Sequence, residues 1–419
     1  MIRTIIITAV GAAALSFAAP AQAQELAYSQ VERGRYLTSA GDCKACHTDI
    51  ENHGQPFAGG RAMATPFGTI YSANLTPDAE TGLGRWSRED FYNALNEGID
   101  DEGRHLYPAM PYPNFTLMTR DDTDAIFAYL QSLEPVHKEK PENEFPFPLN
   151  IRMSVSGWKM LFFEDEEFRP DPDQSDAWNR GRFLVDGPLH CGACHTGKNL
   201  LGASVDDEYM RGGLLENWFA PNIRGGENGG IAHWDEDDIV EYLKDGRSKH
   251  TAPMQRMGEV VSLSTQNLRT DDLRAVATYL KSLDDQLPET FDKIDAALAE
   301  MGSALYFDNC AGCHAADGSG VPYVFAPLTT SNKVHAEDPS TAIRIILGGA
   351  RAEPTDNVPS IPAMPPFAWK LSDAQIADLL SYLRGSGPRH AAPVSASEVA
   401  EVREYLSEGV RCINAASAQ

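Results

Sequence analysis

Cysteine is scarce in this chain of 419 residues: there are seven, and six of them fall into three short, identical spacings. Only Cys412 is left over, so no disulfide framework is available to staple the fold. Positive charge is also short, with 35 Lys and Arg against 60 Asp and Glu, a net charge of −25. That balance argues against nucleic acid or anionic lipid as an electrostatic partner; it favours solubility, or docking against a basic patch. Long apolar runs are missing after the first two dozen residues, so the sequence there offers no spanning helix. The exception, at the N-terminus, combines Arg3, an apolar run from Ile5 to Ala19 and the small-residue site Ala21-Gln22-Ala23. It reads as a secretory signal peptide over residues 1–23, and the remaining length suits two to four domains.

What the chain does have is Cys-x-x-Cys-His, three times: Cys43, Cys46 and His47; Cys191, Cys194 and His195; Cys310, Cys313 and His314. This is the attachment pattern for c-type haem, in which two thiols bond to the porphyrin and the adjacent imidazole becomes the proximal iron ligand. On one helical turn, cysteines three positions apart face the same edge of a planar macrocycle. A zinc site would need a second Cys or His pair close by, yet the motifs lie 148 and 119 residues apart. A thioredoxin-like site would need a βαβ context, which none of the three shows. Three covalent haems c are therefore expected, in an exported bacterial protein.

Aligned on these motifs, the chain is three copies of one unit. Each opens with a helical approach: Gly34-Arg35-Tyr36-Leu37, Gly181-Arg182-Phe183-Leu184 and Gly302-Ser303-Ala304-Leu305-Tyr306. Each closes with an amphipathic helix carrying Ile126, Tyr129 and Leu130; Leu273, Tyr279 and Leu280; or Ile376, Tyr382 and Leu383. Acidic or hydroxyl residues precede these stripes and suit a helix N-terminus. The Pro-rich stretch from Glu134 to Pro148 reads as a linker, and Pro288 marks a second connection. The expected organisation is all-α, with three tandem class I-like cytochrome c domains over 24–140, 141–287 and 288–390, and a tail over 391–419. In that tail Val399, Val402, Tyr405 and Leu406 suggest a docking helix.

A second axial ligand should lie in the loop before each closing helix. Met110 lies 63 positions after His47 and Met364 lies 50 after His314, both within Pro-Ala-Met-Pro, where prolines restrict the loop. The middle unit offers Met257, 62 positions after His195, and Met254, 59 after it; Met257 is preferred on spacing. Elsewhere methionine is a core gap-filler, the role expected of Met118, Met153, Met160 and Met301. His53, His105, His190, His233, His250 and His335 recur at no equivalent place and read as exposed or structural, with His105 the best local rival as a ligand. Arg85-Trp86 and His233-Trp234 suit either haem propionates or loop anchoring. Asn74-Leu75, Asn222-Ile223 and Pro327-Leu328 suggest equivalent haem-facing loops. Trp158-Lys159-Met160-Leu161-Phe162-Phe163 is apolar enough for core packing or for a partner or quinone-facing patch.

With the motifs, three further stretches resemble a family: Gly157-Trp158 with Leu161-Phe162-Phe163, Trp178-Asn179-Arg180-Gly181, and Met257 to Val261 followed by Ala277-Thr278-Tyr279-Leu280-Lys281. The chain is similar, over nearly all its length beyond the signal, to the three-haem cytochrome c subunits of bacterial membrane-associated dehydrogenases. The resemblance implies an electron-transfer subunit with no substrate site of its own, on the periplasmic side of the cytoplasmic membrane and peripherally associated with it. It further implies a catalytic partner carrying pyrroloquinoline quinone or flavin, acting on alcohols, gluconate or sugars. Electrons would pass to ubiquinone or a downstream oxidase. Similar subunits also serve molybdenum hydroxylases acting on aldehydes or N-heterocycles. The short polar tail departs from the family's longer apolar one, as does Ala-Pro-Met-Gln-Arg-Met in the middle unit from its single Gly-Pro-Met. Two other classes remain as alternatives: a multi-haem peroxidase, which needs a five-coordinate iron, and a free soluble shuttle.

Overall fold

Glycine sets the helix pairing that recurs along the chain. In the computed structural model, which describes residues 21–286, 295–388 and 390–416, three opening helices cross three closing helices. Ala21–Ala40 packs on Arg120–Gln131, Asp176–Asp186 on Thr270–Lys281, and Ala296–Asn309 on Asp373–Arg384. At each crossing a glycine lies against the partner helix. A Cβ on Gly34 would fall 1.8 Å from the carbonyl oxygen of Ala125, and one on Gly181 would fall 2.0 Å from that of Ala275. On Gly302 it would fall 2.4 Å from Tyr382 Cβ. The tyrosine of each closing helix thus sits on the glycine of the opening helix, a packing role as expected.

The closing helices bury the expected stripes, with Ile126, Leu130, Leu273, Val276, Leu280, Ile376, Leu379 and Leu380 all buried. Hydroxyl residues cap the first and third of them, as expected, and only the middle one departs. Thr119, one residue ahead of the first helix, accepts from the Asp122 amide, and Ser372 does the same for Gln375. The middle helix has Arg269 at its N-cap, with no side-chain cap. In the first two units an arginine beside the glycine reaches the third helical residue: Arg33 to Asp122 at 2.6 Å, and Arg180 to Asp272 at 2.8 and 2.9 Å. The third unit has Met301 and Gln375 at those positions.

The all-α expectation needs a correction. After the first and second motifs come antiparallel hairpins, Ala62–Thr65 with Gly68–Tyr71 and Gly212–Leu215 with Trp218–Pro221. Each is four residues a strand, too short to show a two-residue period against the Gly- and Pro-rich loops around it. The segment read as a linker lies along the first hairpin, where Glu144 and Thr69 exchange backbone hydrogen bonds of 2.8 and 3.2 Å.

One apolar cluster spans the first two units, joining Leu37, Phe115 and Leu130 with Leu184, Leu273 and Leu280. A second cluster belongs to the third unit and takes in Val399 of the tail, with Val402 and Leu406 beside it. The tail helix Ala396–Ala416 is therefore docked, and Arg403 fixes it through Asp373 and the carbonyls of Ala368 and Leu371. Of the expected gap-filling methionines only Met118 is buried; Met153, Met160 and Met301 are exposed, Met153 at a helix N-cap and the other two on the outer sides of their helices. Met210 fills the core instead. The secretory signal lies outside the described residues except for 21–23, as do the second connection at Pro288 and the side chain of Cys412.

Candidate haem centres

Each motif folds as one helical turn. The amide of His47 donates to Cys43 O at 2.9 Å, that of His195 to Cys191 O at 3.0 Å and that of His314 to Cys310 O at 2.9 Å. This closes the i, i+4 ring that brings the first cysteine, the second and the histidine onto one side of the turn.

The three imidazoles are held alike. Nδ1 donates to a backbone carbonyl in each: His47 to Ala73 at 2.7 Å, His195 to Pro221 at 2.7 Å and His314 to Ala326 at 2.8 Å. A carbonyl has no proton to give, so Nδ1 must carry it and the lone pair is left on Nε2. Burial pushes all three rings below the ordinary histidine value, which keeps them in the neutral form that binds metal. The acceptors immediately precede Asn74, Asn222 and Pro327, so the three loops singled out in sequence do converge on the motifs. The asparagines themselves brace the loop: Asn74 Oδ1 accepts from the Thr76 amide and Asn222 Oδ1 from the Arg224 amide, both at 2.9 Å.

The thiols fit covalent attachment better than a metal or disulfide role. Burial pushes Cys43 and Cys191 up to about 12, and Cys194 and Cys310 up to about 11. Among the described residues no group of three or more His, Cys, Asp or Glu is placed to hold a metal ion, and all six cysteines are free. A paired thiol edge beside one anchored imidazole is the donor set of haem c.

The candidate distal ligands lie at the margins of the two clusters. Met110 and Met257 pack partly buried on the shared cluster, and Met364 packs on the third unit's. Met364 is held extended by two backbone bonds to Ala350, at 2.8 and 3.0 Å. Met257 lies inside the helix Gln255–Leu263, while Met254 is that helix's N-cap. Among the other histidines, His105 is half-buried with an Nδ1 that has no hydrogen-bond partner. His250 bonds Asp238 at 2.9 Å and stacks on Trp234, His335 bonds the carbonyls of Ser331 and Ser386, and His53 is exposed. His190 Nε2 faces Gly41 O at 3.4 Å, across the junction of the first two units. Trp86 packs on the shared cluster and Trp234 is buried within it, in keeping with the loop-anchoring reading. In the apolar helix Ser154–Phe162, Trp158 Nε1 donates to Leu201 O at 2.9 Å, whereas Met160 and Leu161 face outward.

Two arginines, one buried and one half-buried, escaped the sequence reading. Arg61 and Arg211 stand immediately before the two hairpins, and the Nε of each is buried with no partner. The Gly-rich stretches around them gave the only hint, as backbone places where a side chain could be enclosed.

The family model for cytochrome c matches residues 31–134 and 299–387, which hold the first and third motifs. Among curated proteins, the chain is 38% identical to the cytochrome c subunit of alcohol dehydrogenase (quinone) from Gluconobacter oxydans, over 94% of this chain and 86% of that one. It is 38% identical to the gluconate 2-dehydrogenase cytochrome c subunit of Pantoea cypripedii, over 96% of each. It is also 41% identical to one of the subunits of nicotinate dehydrogenase from Pseudomonas putida, over 90% of this chain and 32% of that one. No described helix is long and apolar enough to cross a membrane. With anchored imidazoles, paired thiols and relatives matched nearly end to end, the chain belongs to the cytochrome c electron-transfer subunits of bacterial dehydrogenase complexes.

Proposed function

We propose that the chain carries three haems c and relays electrons from a catalytic dehydrogenase subunit to ubiquinone or a downstream oxidase. The observation that carries this reading is the threefold repetition of one geometry, a Cys-x-x-Cys-His turn whose histidine Nδ1 is tied to a carbonyl 2.7 to 2.8 Å away. Haem c supplies reversible one-electron transfer when bound. Cys43 with Cys46, Cys191 with Cys194 and Cys310 with Cys313 would hold the macrocycles, and His47, His195 and His314 would present Nε2 to the irons. Met110, Met257 and Met364 are assigned as the distal ligands. Their margins of apolar core keep water away and favour a six-coordinate, low-spin centre. The domains run over 24–140, 141–287 and 288–390 with the tail at 391–419, and residues 1–23 direct export to the periplasmic side of the membrane, where association is peripheral.

The relatives support an alcohol, gluconate or sugar dehydrogenase as donor, with pyrroloquinoline quinone or flavin in the partner. The 41% identity to a nicotinate dehydrogenase component favours a second donor class, a molybdenum hydroxylase of N-heterocycles or aldehydes. Purification of the tagged chain from its native membrane tests both. A stoichiometric large subunit should accompany it, and its substrate should reduce the haems. A chain that purifies alone and accepts electrons from many donors would contradict the proposal.

A further inference from the structure

Arg61 connects two units that are far apart in sequence. Its side chain is only 5% exposed. Nη1 donates to Ala45 O at 2.6 Å, and Ala45 lies between the two cysteines of the first motif. Nη2 reaches both carboxylate oxygens of Glu259, at 3.1 and 2.8 Å. Glu259 is two residues beyond Met257 on the same helix, so one guanidinium touches the first attachment turn and the distal-ligand helix of the second unit.

The connection continues. Arg256, the residue before Met257, bonds Glu259 at 3.1 Å and grips Glu216 with two bonds of 2.7 and 3.0 Å. Glu216 is in the turn of the second hairpin, where Glu216 O and Asn217 O accept from Arg344 of the third unit at 3.3 and 3.1 Å. Met257 is therefore flanked on both sides by residues whose charges are fixed from outside its own helix. A forked guanidinium fixes orientation as well as distance, because both of its N–H arms must stay in plane with their acceptors. In a water-poor junction its charge also acts on its surroundings far more strongly than it would in solvent.

We propose that Arg61 is a positioning residue shared by two haem centres: it locks the Met257 helix of the second unit onto the attachment turn of the first, and sets the affinities of both haems for an electron. This rests on the reading of Met257 as a distal ligand. Removing the cation disfavours the added electron at both nearby centres and frees the helix. The third centre, whose link to the junction is two backbone carbonyls, is untouched.

The test uses the full-length holoprotein and an equilibrium redox titration resolved by haem, together with the Met-to-iron charge-transfer absorption. In Arg61→Gln, the oxidised-to-reduced ratio of the first haem at a fixed poise should rise about tenfold, a fall of about 59 mV, that of the second should rise by more because it also loses Met ligation, and the third should hold. The charge-transfer absorption should weaken by the share of one haem. Arg61→Lys should keep the ratio of the first haem while the second still loses absorption and becomes more oxidised, because an ammonium carries the charge without the fork. Glu259→Gln should shift the ratio the opposite way, and it serves where the Gln variant at position 61 does not accumulate. Ratios unchanged at the first and second haems in Arg61→Gln or Glu259→Gln, or moved equally at all three, overturn the proposal. Met257→Ala tests the ligand separately: an undiminished absorption there refutes that assignment, while the titration of the Arg61 variants still stands.

Discussion

The first two units share an apolar core as well as the Arg61–Glu259 pair, and the third meets them through polar contacts. Phe115, Leu130, Leu184 and Leu273 belong to one cluster, so neither of the first two units owns a closed core. The third unit has its own cluster and reaches the second through polar contacts. Thr341 Oγ1 pairs with both the amide and the carbonyl of Phe219, at 2.8 and 3.0 Å, and Lys333 Nζ donates to Thr251 Oγ1 and Ala252 O, both at 2.9 Å. Burial of apolar area is cooperative and hard to separate, whereas hydrogen bonds exchanged for water contribute about 1 kcal/mol each. The difference predicts a fused pair of centres with a third docked beside it.

Glycine substitution attacks that comparison hardest. Gly181→Ala forces a Cβ onto the Ala275 carbonyl, and we expect a loss of about 3 kcal/mol or more, with both of the first two units unfolding in one calorimetric transition. Gly302→Ala should cost a similar amount but move only the third unit's transition. Independent melting of the first and second units would break the shared-core account. Next in size is Arg180→Ala, which leaves the buried Asp272 carboxylate without its fork and should cost about 3 kcal/mol. The corresponding third-unit change, Gln375→Ala, removes only a cap partner and should cost under about 1 kcal/mol by denaturant midpoint.

Acid sharpens the same contrast. Burial alone would raise Asp272, but Arg180, Tyr36 and Arg269 outweigh it and hold the carboxyl well below the ordinary range. A depressed carboxylate stabilises the fold fully above its unfolded value of about 3.9, and that contribution is lost as pH falls through the folded value. Denaturation midpoints taken from pH 5 down to pH 2 should therefore fall faster for the fused pair than for the third unit, and Asp272→Asn should flatten the difference. A small effect is also expected from Thr341→Val, about 1 kcal/mol, seen as a lower melting temperature of the third unit alone.

The sequence made the attachment turns and closing helices legible because both are local. The Cys-x-x-Cys-His spacing needs one helical turn, and stripes such as Leu273, Val276 and Leu280 need only their own helix. The carbonyl partners of the histidines were half-legible: the loops at Asn74, Asn222 and Pro327 were recognised, but not that Ala73, Pro221 and Ala326 would accept from the imidazoles. Contacts between units were invisible for a physical reason. Arg61 and Glu259 stand 198 positions apart, and no periodicity or cap announces a pair that forms only after two units share a core. Met153, Met160 and Met301 are exposed against expectation because composition says that methionine is apolar and nothing about whether its side of the chain is covered.

Haem stoichiometry with spin state, measured on the purified holoprotein, tests the central claim most directly. Iron and haemochrome assays should give three haems per chain, and the oxidised protein should be wholly low-spin with a Met-to-iron charge-transfer absorption. Two haems per chain, or a high-spin centre in the resting protein, would contradict three equivalent centres in relay.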